Sequence, residues 1–350
     1  MFSNPSFVFM KRNFMPKQGF FIIALFFSSI HLLAQNTGGN ATYNFLTLPY
    51  SAKASALGGI NISAIGNDLG LAMFNPSLLD SSMNGDLHLS IRPYYANIQQ
   101  YDFSGANYWS RKKWVIGWGV HYMDYGTIKM TDAAGNEMGN FRPNDYMAQV
   151  SLSTYYIRNV QLGTSLKWIQ SNYGIYKSNA MAIDVALRYT SSNELNQGSI
   201  LLTNIGGQIK TYTNKEELPF NLVAGWSIKL EKAPIQFSVT AQRISVWNNS
   251  YYDVNYANQE GEKAPGAMQN LFNHLIIGAE AYIGSQVDID FGYNFIRRFD
   301  LNVQNQQNWF NGLSAGVGVK LPRTKIQYGN AFFQRNLYHH FSVFYSLKNK

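Results

Sequence analysis

The chain has no cysteine in its 350 residues. Disulfide staples, thiolate-held zinc or iron–sulfur sites and a lipoprotein anchor are therefore excluded. Charge is scarce too: charged residues make up 14%, against about 25% in ordinary soluble domains. Beyond the N-terminus there is no long apolar run. A helical membrane protein would show several runs of about 18 or more residues, so any insertion of the mature chain must use strands. Lysine and arginine form no long run or basic helix, so a pI of about 9.3 does not point to nucleic acid. No phosphate-cradling glycine loop, nucleophile elbow or metalloprotease motif is present. Neither an enzyme activity nor a cofactor or metal is expected.

Aromatics, by contrast, are abundant: 15% of the chain, with 23 Tyr, 23 Phe and 7 Trp. A disordered chain would lack them. Hydrophobic residues reach 46%, yet the mean hydropathy is −0.20. Two β-rich bodies fit that pair of values: a soluble sandwich, or a barrel with an apolar outside and a polar inside.

Residues 1–35 read as an export signal. Lys11, Arg12 and Lys17 form the basic region, Phe20 to Phe27 the apolar core, and Ala34 the small residue before a cut at Gln35. Leu32 is larger than usual three positions before such a cut, and Met10 reads as a more natural start than Met1.

From about residue 86 the pattern has period two. Met181, Ile183, Val185, Leu187 and Tyr189 alternate with Ala182, Asp184, Ala186 and Arg188. Val287, Ile289, Phe291, Tyr293 and Phe295 alternate with Asp288, Asp290, Gly292 and Asn294. Successive side chains on a strand face opposite ways, so each segment has one greasy and one polar or small face. Fourteen such segments lie near 86–97, 99–110, 112–124, 145–158, 159–170, 177–190, 197–206, 218–231, 234–245, 271–284, 285–298, 310–321, 323–334 and 337–348. Many run to about 10–12 residues, where soluble strands average about 5–6 and membrane-spanning ones need about 9–11. The joins sort by parity. Those after even-numbered strands are mostly tight, and several after odd-numbered strands are long, at 125–144, 207–217, 246–270 and 299–309. Short periplasmic turns and long outer loops are the habit of outer-membrane barrels. Trp109, Trp114, Trp168, Tyr189, Trp247 and Trp309 near segment ends suit an interfacial girdle.

The expected architecture is therefore all-β: a transmembrane antiparallel β-barrel of about 14 strands over 86–350 in the bacterial outer membrane. Ahead of it, 36–85 does not alternate. Asp68 can cap a short helix through Phe74, and Asn75 before Pro76 is the pattern of a second cap. Gly58-Gly59 permits backbone angles or close approach that a Cβ would block. These small residues and short helices suit an N-terminal plug inside the lumen.

Tyr43-Asn44-Phe45-Leu46-Thr47-Leu48-Pro49, Ala56-Leu57-Gly58-Gly59, Asp68 and Asn75-Pro76 resemble the N-terminal signature of the PorQ family of the type IX secretion system. Related elements recur in PorV and in the long-chain fatty-acid transporter family. The family's Asn-Pro-Ala reads Asn75-Pro76-Ser77 here. The resemblance covers about 40 residues in its motif core, and it implies a 14-stranded barrel with a lumenal plug. It also implies a non-enzymatic outer-membrane role: anchoring the surface protein PorZ, which works with the PorU sortase and PorV to attach secreted cargo. The alternatives are a hydrophobic-solute transporter of fatty-acid type and a PorV-like shuttle for cargo.

Other residues give little chemistry. Asp288, Asp290 and Glu280 read as lumen acids balanced by Arg188, Lys229 and Lys320. His88, His121 and His274 could face the lumen but no spacing groups them, and His339-His340 point to opposite faces of one strand. Partner contacts are expected in the outer loops, at Trp247, Tyr251, Tyr252 and Tyr256, and at Tyr125, Met130, Met138 and Phe141 of 125–144. Outer-membrane lipid is the other expected contact.

Overall fold

Each alternating segment pairs with its neighbours to close a ring. The computed structural model describes residues 41–247, 266–301, 310–333 and 336–348. Its strands are β1 (Asp86–Pro93), β2 (Gln99–Trp109), β3 (Trp114–Asp124), β4 (Ile128–Thr131), β5 (Glu137–Phe141), β6 (Asn144–Ile157), β7 (Val160–Tyr173) and β8 (Tyr176–Thr190). Then come β9 (Asn196–Lys210), β10 (Asn221–Lys229), β11 (Ile235–Ala241), β12 (Leu275–Ile283), β13 (Val287–Asn294), β14 (Leu313–Lys320), β15 (Thr324–Phe333) and β16 (Asn336–Ser346). Fourteen of them form one closed antiparallel barrel, sealed where β1 pairs with β16. β4 and β5 make a separate two-stranded hairpin in an outer loop. No described helix is long and apolar enough to cross a membrane.

The alternation sets which face meets lipid. On β8, Met181, Ile183, Val185 and Leu187 are exposed, while Ala182, Asp184, Ala186 and Arg188 are buried. The outward row continues through Leu89, Phe103, Val120, Val150, Leu166, Ile200, Trp226, Val239, Ile277, Phe291, Val317, Ile326 and Val343. An exposed apolar band of this extent on a closed barrel is the lipid-facing surface of an outer-membrane protein. Trp109 and Trp114 meet edge to face at 6.2 Å beside the 110–113 turn. Trp168, Tyr189 and Trp247 are also exposed, and Trp309 lies outside the described residues.

The observed strands depart from the expected ones mainly at their outer ends. The first stops at Pro93, and the chain reverses through Ala96 and Asn97, both at positive φ. The segment expected as strand to 298 turns helical at Phe295: Arg297 N donates to Asn294 Oδ1 at 3.2 Å, so Asn294 starts a helix. Likewise 271–274 belongs to the end of a helix and its cap.

Before the barrel lie α1 (Ala52–Ala56) and α2 (Leu69–Phe74), with single 3-10 turns at Asn44–Thr47, Pro76–Leu78 and Ser81–Met83. Two further helices, α3 (Ala267–Asn273) and α4 (Phe295–Leu301), lie in outer loops. The N-terminal segment enters at the outer mouth, where Thr42 N donates to Glu217 O at 3.0 Å. It ends at Asp86, the inner end of β1. Between these points it is almost wholly buried.

Candidate functional site

Every barrel strand touches the N-terminal segment. Ser90 Oγ of β1 donates to Tyr50 O at 3.2 Å, and Gln100 Nε2 of β2 to Pro49 O at 2.7 Å. His121 of β3 stacks on Phe45 at 5.3 Å. Gln149 Nε2 of β6 reaches Met73 O at 2.7 Å, Gln161 Nε2 of β7 reaches Leu79 O at 2.5 Å, and Gln197 Nε2 of β9 reaches Ala64 O at 2.9 Å. Tyr43 bonds Ser178 of β8, Ser63 bonds Ser227 of β10 at 2.8 Å, and Asn61 donates to Ser238 of β11 at 2.8 Å. Lys53 pairs with Glu280 of β12 at 2.5 Å. Asn294 Nδ2 of β13 donates to Gly58 O at 2.9 Å, and Gln327 Nε2 of β15 to Asp68 Oδ2 at 3.1 Å. Ala52 N donates to Ser342 Oγ of β16 at 2.9 Å. On β14, Gly316 lies directly against Ala56.

The physical reason is the cost of a buried unpaired amide, about 1–3 kcal/mol. Short helices and turns leave many backbone groups unpaired, and the wall's serines, asparagines and glutamines satisfy them. Sequence reading singled out none of these glutamines. Their only signal was a polar residue on the inward face, which does not say what it meets.

Apart from the exposed Asn44, the motif residues lie along this segment, and several of them make the seal. Asp68 Oδ1 caps α2 by accepting from Leu71 N at 3.1 Å. Asn75 Oδ1 accepts from Ser77 N at 3.1 Å, and its Nδ2 donates to Ile62 O and Ser199 Oγ at 2.8 and 2.9 Å. Pro76 follows at the first position of its turn. Phe45, Leu46, Ala56 and Leu57 are buried, and Pro49 supplies the carbonyl held by Gln100. Gly58 and Gly59 adopt φ of +95° and +107°, which L side chains rarely tolerate. Replacing Asn75 with alanine is expected to cost about 1–2 kcal/mol, read as a lower midpoint of heat unfolding in detergent. Asn75→Asp should recover the cap but not the two donated bonds.

The lumen charges differ from expectation. Glu280, Asp288 and Asp290 are indeed buried inside. Their cations are Lys53 of α1 and Lys325 of β15, with Lys325 Nζ 3.3 Å from Asp288. Arg188 bonds Gln161 instead, Lys229 lies over the Tyr282 ring, and Lys320 is exposed. A second buried pair, Lys167–Asp184 at 2.6 Å, sits where β9 bulges at Asn204. The structure also groups histidines that spacing did not. His340 Nε2 meets Ser90 Oγ at 2.8 Å, Ser90 donates to Asp102 at 3.0 Å, and Asp102 holds His121. His88 bonds Ser104 and Ser342 close by. His274 stands apart, against Trp247 in an outer loop, and His339 faces outward to Tyr328. The described residues hold no group of three or more potential metal ligands.

Open space lies at the two mouths. The inner one, about 560 Å³, is bordered by Asp86, Lys229, Tyr282 and Lys325. The outer one, about 670 Å³, is lined by Tyr43, Tyr125, Tyr173, Tyr176, Tyr212 and Asp145, among others. Burial, then the charge of Asp145, lifts the Tyr125 hydroxyl well above its ordinary range. Burial also lifts that of Tyr212. Between the mouths, a cavity by Tyr50, Met73 and His121 measures only about 10 Å³, roughly the room for one water. Of the expected partner residues, Trp247 is exposed, and Tyr251, Tyr252 and Tyr256 lie outside the described residues. Met130 and Met138 are exposed on the outer hairpin, Tyr125 lines the outer mouth, and Phe141 is half-buried.

No protein-family profile matches the chain, and no curated protein matches it. Solved structures do. The CymD monoaromatic hydrocarbon channel aligns over 86% of this chain and 98% of its own, at a TM-score of 0.52 and 12% identity. The Pseudomonas putida toluene transporter TodX aligns over 85% and 98%, at 0.54 and 11%. At these identities the likeness is one of fold: a 14-stranded outer-membrane barrel with short N-terminal helices.

Proposed function

We propose that the protein is a non-enzymatic outer-membrane component of a type IX secretion apparatus. It holds a PorZ-type surface protein and, through it, the PorU/PorV attachment complex. The observation that supports this best is the filled lumen: the N-terminal segment bonds to wall after wall, and the cavity by Tyr50, Met73 and His121 holds only about 10 Å³. A barrel plugged in this way is rigid and offers its outer face as a platform. Phe45, Pro49, Gly58, Asp68 and Asn75, motif residues that resemble the PorQ signature, serve that seal.

A second reading rests on a different observation. The fold is shared with CymD, a monoaromatic hydrocarbon channel, and with TodX, a toluene transporter. That favours passage of a hydrophobic solute, in which case the plug must shift to open a path. One pair of measurements separates the readings. Capture of the tagged protein from detergent-solubilised outer membrane should recover a PorZ-type protein, and cells carrying it should take up toluene and oleate no faster than cells without it. Recovery of lipid alone, with faster uptake, establishes transport. Recovery of secreted cargo domains establishes a PorV-like shuttle.

The loop assignment has its own test. Deleting 248–266 should release the surface protein while the barrel still inserts and migrates as a folded species. A partner that stays bound after this deletion is held elsewhere on the outer face.

A further inference from the structure

At the outer end of the lumen two arginines share one aromatic frame. Arg92, the last inward-facing residue of β1, is 2% exposed. Its guanidinium lies over the Tyr94 ring at 4.8 Å. Tyr94 meets Tyr338 at 5.6 Å, and Tyr338 meets Phe333 at 5.0 Å. Arg297 of α4 lies over Phe333 at 4.5 Å. The frame thus runs from one guanidinium to the other. Arg297 Nη2 also donates to Gly58 O at 3.1 Å. A Cβ on Gly59 would stand 2.9 Å from that nitrogen, so the motif glycine leaves Arg297 its seat.

Among the described residues the charges of these two groups are not matched. Arg92 Nε, Arg92 Nη1 and Arg297 Nη1 have no hydrogen-bond partner there. Neither arginine makes an ion pair among the described residues. Asp102 attracts Arg92, but its oxygens are already engaged by Ser90, Gln100 and His121. The neighbouring His340 is held by Ser55 and Ser90. Burial, and then the repulsion of Arg92, lowers Arg297 to about 9.

A buried charge without a partner is strongly unfavourable. Ring faces offset part of that, but they leave the in-plane N–H donors unmet. Such donors form a planar fork that matches the oxygens of a carboxylate or phosphate. Tyr94, Phe333, Tyr338 and Arg297 are only half-buried, so the frame borders the outer side, and the unmet donors lie just beneath its surface. We infer that Arg92 and Arg297 form a binding site for an oxyanion, a phosphate or carboxylate group presented at the outer face.

The test uses the full chain, purified in a zwitterionic detergent and unfolded by heat. Inorganic phosphate is titrated against chloride at equal ionic strength, acetate likewise, and phosphatidic acid in a parallel series of mixed micelles. Saturable stabilisation is expected with at least one probe. Its apparent affinity should fall about tenfold or more in Arg92→Gln and in Arg297→Gln, the loss of about 1.4 kcal/mol or more. Lys129→Gln, on the exposed hairpin, should leave it unchanged. An arginine-dependent effect of phosphate or acetate assigns the site to a free oxyanion. The same dependence with phosphatidic acid alone assigns it to a lipid headgroup. Arg297 is half-buried at the rim, so Arg297→Gln decides the matter should Arg92→Gln not fold. The site is refuted by the absence of saturable stabilisation with all three probes, or by stabilisation that survives the loss of Arg297.

Discussion

Replacing Lys53 with alanine should destabilise the folded barrel by about 3–5 kcal/mol, the range for removing one partner of a buried ion pair. Lys53 is 6% exposed and Glu280 1%, so water screens the pair little. The local arrangement raises the stakes. Glu280 and Asp290 are direct cross-strand partners, both facing inward, and like charges directly opposite are destabilising. Lys53 is the cation that meets them from the plug. Lys325 bonds farther along, at Asp288 and near Asp68. Glu280 keeps Gln236 at 2.6 Å and Tyr282 at 3.1 Å, but these neutral donors do not replace a charge. The check is the temperature at which the fast-migrating folded band disappears on gel electrophoresis. Lys53→Ala should lower it sharply, and Lys53→Met with Glu280→Leu should recover part of the loss, because Glu280 is then neither stranded nor set opposite Asp290, which alone keeps its buried charge. Equal losses in the single and double variants would mean that the pair is not what holds α1 to the wall.

Replacing Gly163 with valine should unseat the plug. A Cβ at Gly163 would run into the backbone of Pro76 and Ser77, which cannot rotate away as a side chain can. Overpacking a filled interior costs about 1–3 kcal/mol, and against backbone the upper end is expected. The structure can relieve it by moving the Asn75–Leu78 turn, which strips Asn75 from Ser199. The absence of cysteine makes this measurable. A single reporter, Ser55→Cys, sits at a 1% exposed position and should resist maleimide in the otherwise unaltered protein. With Gly163→Val it should label. Unchanged protection alongside normal stability would show that the turn yields locally without freeing the segment.

Strand number and facing were legible because alternation and length are local properties. Met181, Ile183, Val185 and Leu187 read as one face in the sequence and form one face in the barrel. Strand ends were less legible. Phe295 continues the apolar alternation of β13, yet the Asn294 side chain starts a helix there. The hairpin of β4 and β5 went unseen, since its residues carry no alternation of burial.

The plug's caps were readable for the same local reason: Asp68 and Asn75 each bond an amide two or three residues on. What the plug touches was not readable. Ala52 and Ser342, bonded in the barrel, are 290 residues apart in sequence.

The sequence alone therefore determined an exported barrel of fourteen greasy-faced strands behind a capped, glycine-bearing segment. Each of those features is set within a few residues by strand geometry and helix capping. Only the tertiary structure decided that Lys53 and Lys325 answer the lumen acids, that His121 and His340 meet around Asp102 and Ser90, and that Arg92 and Arg297 share one frame. Those meetings depend on the register at which the ring closes and on where the plug comes to rest inside it, and neither is written in any one segment.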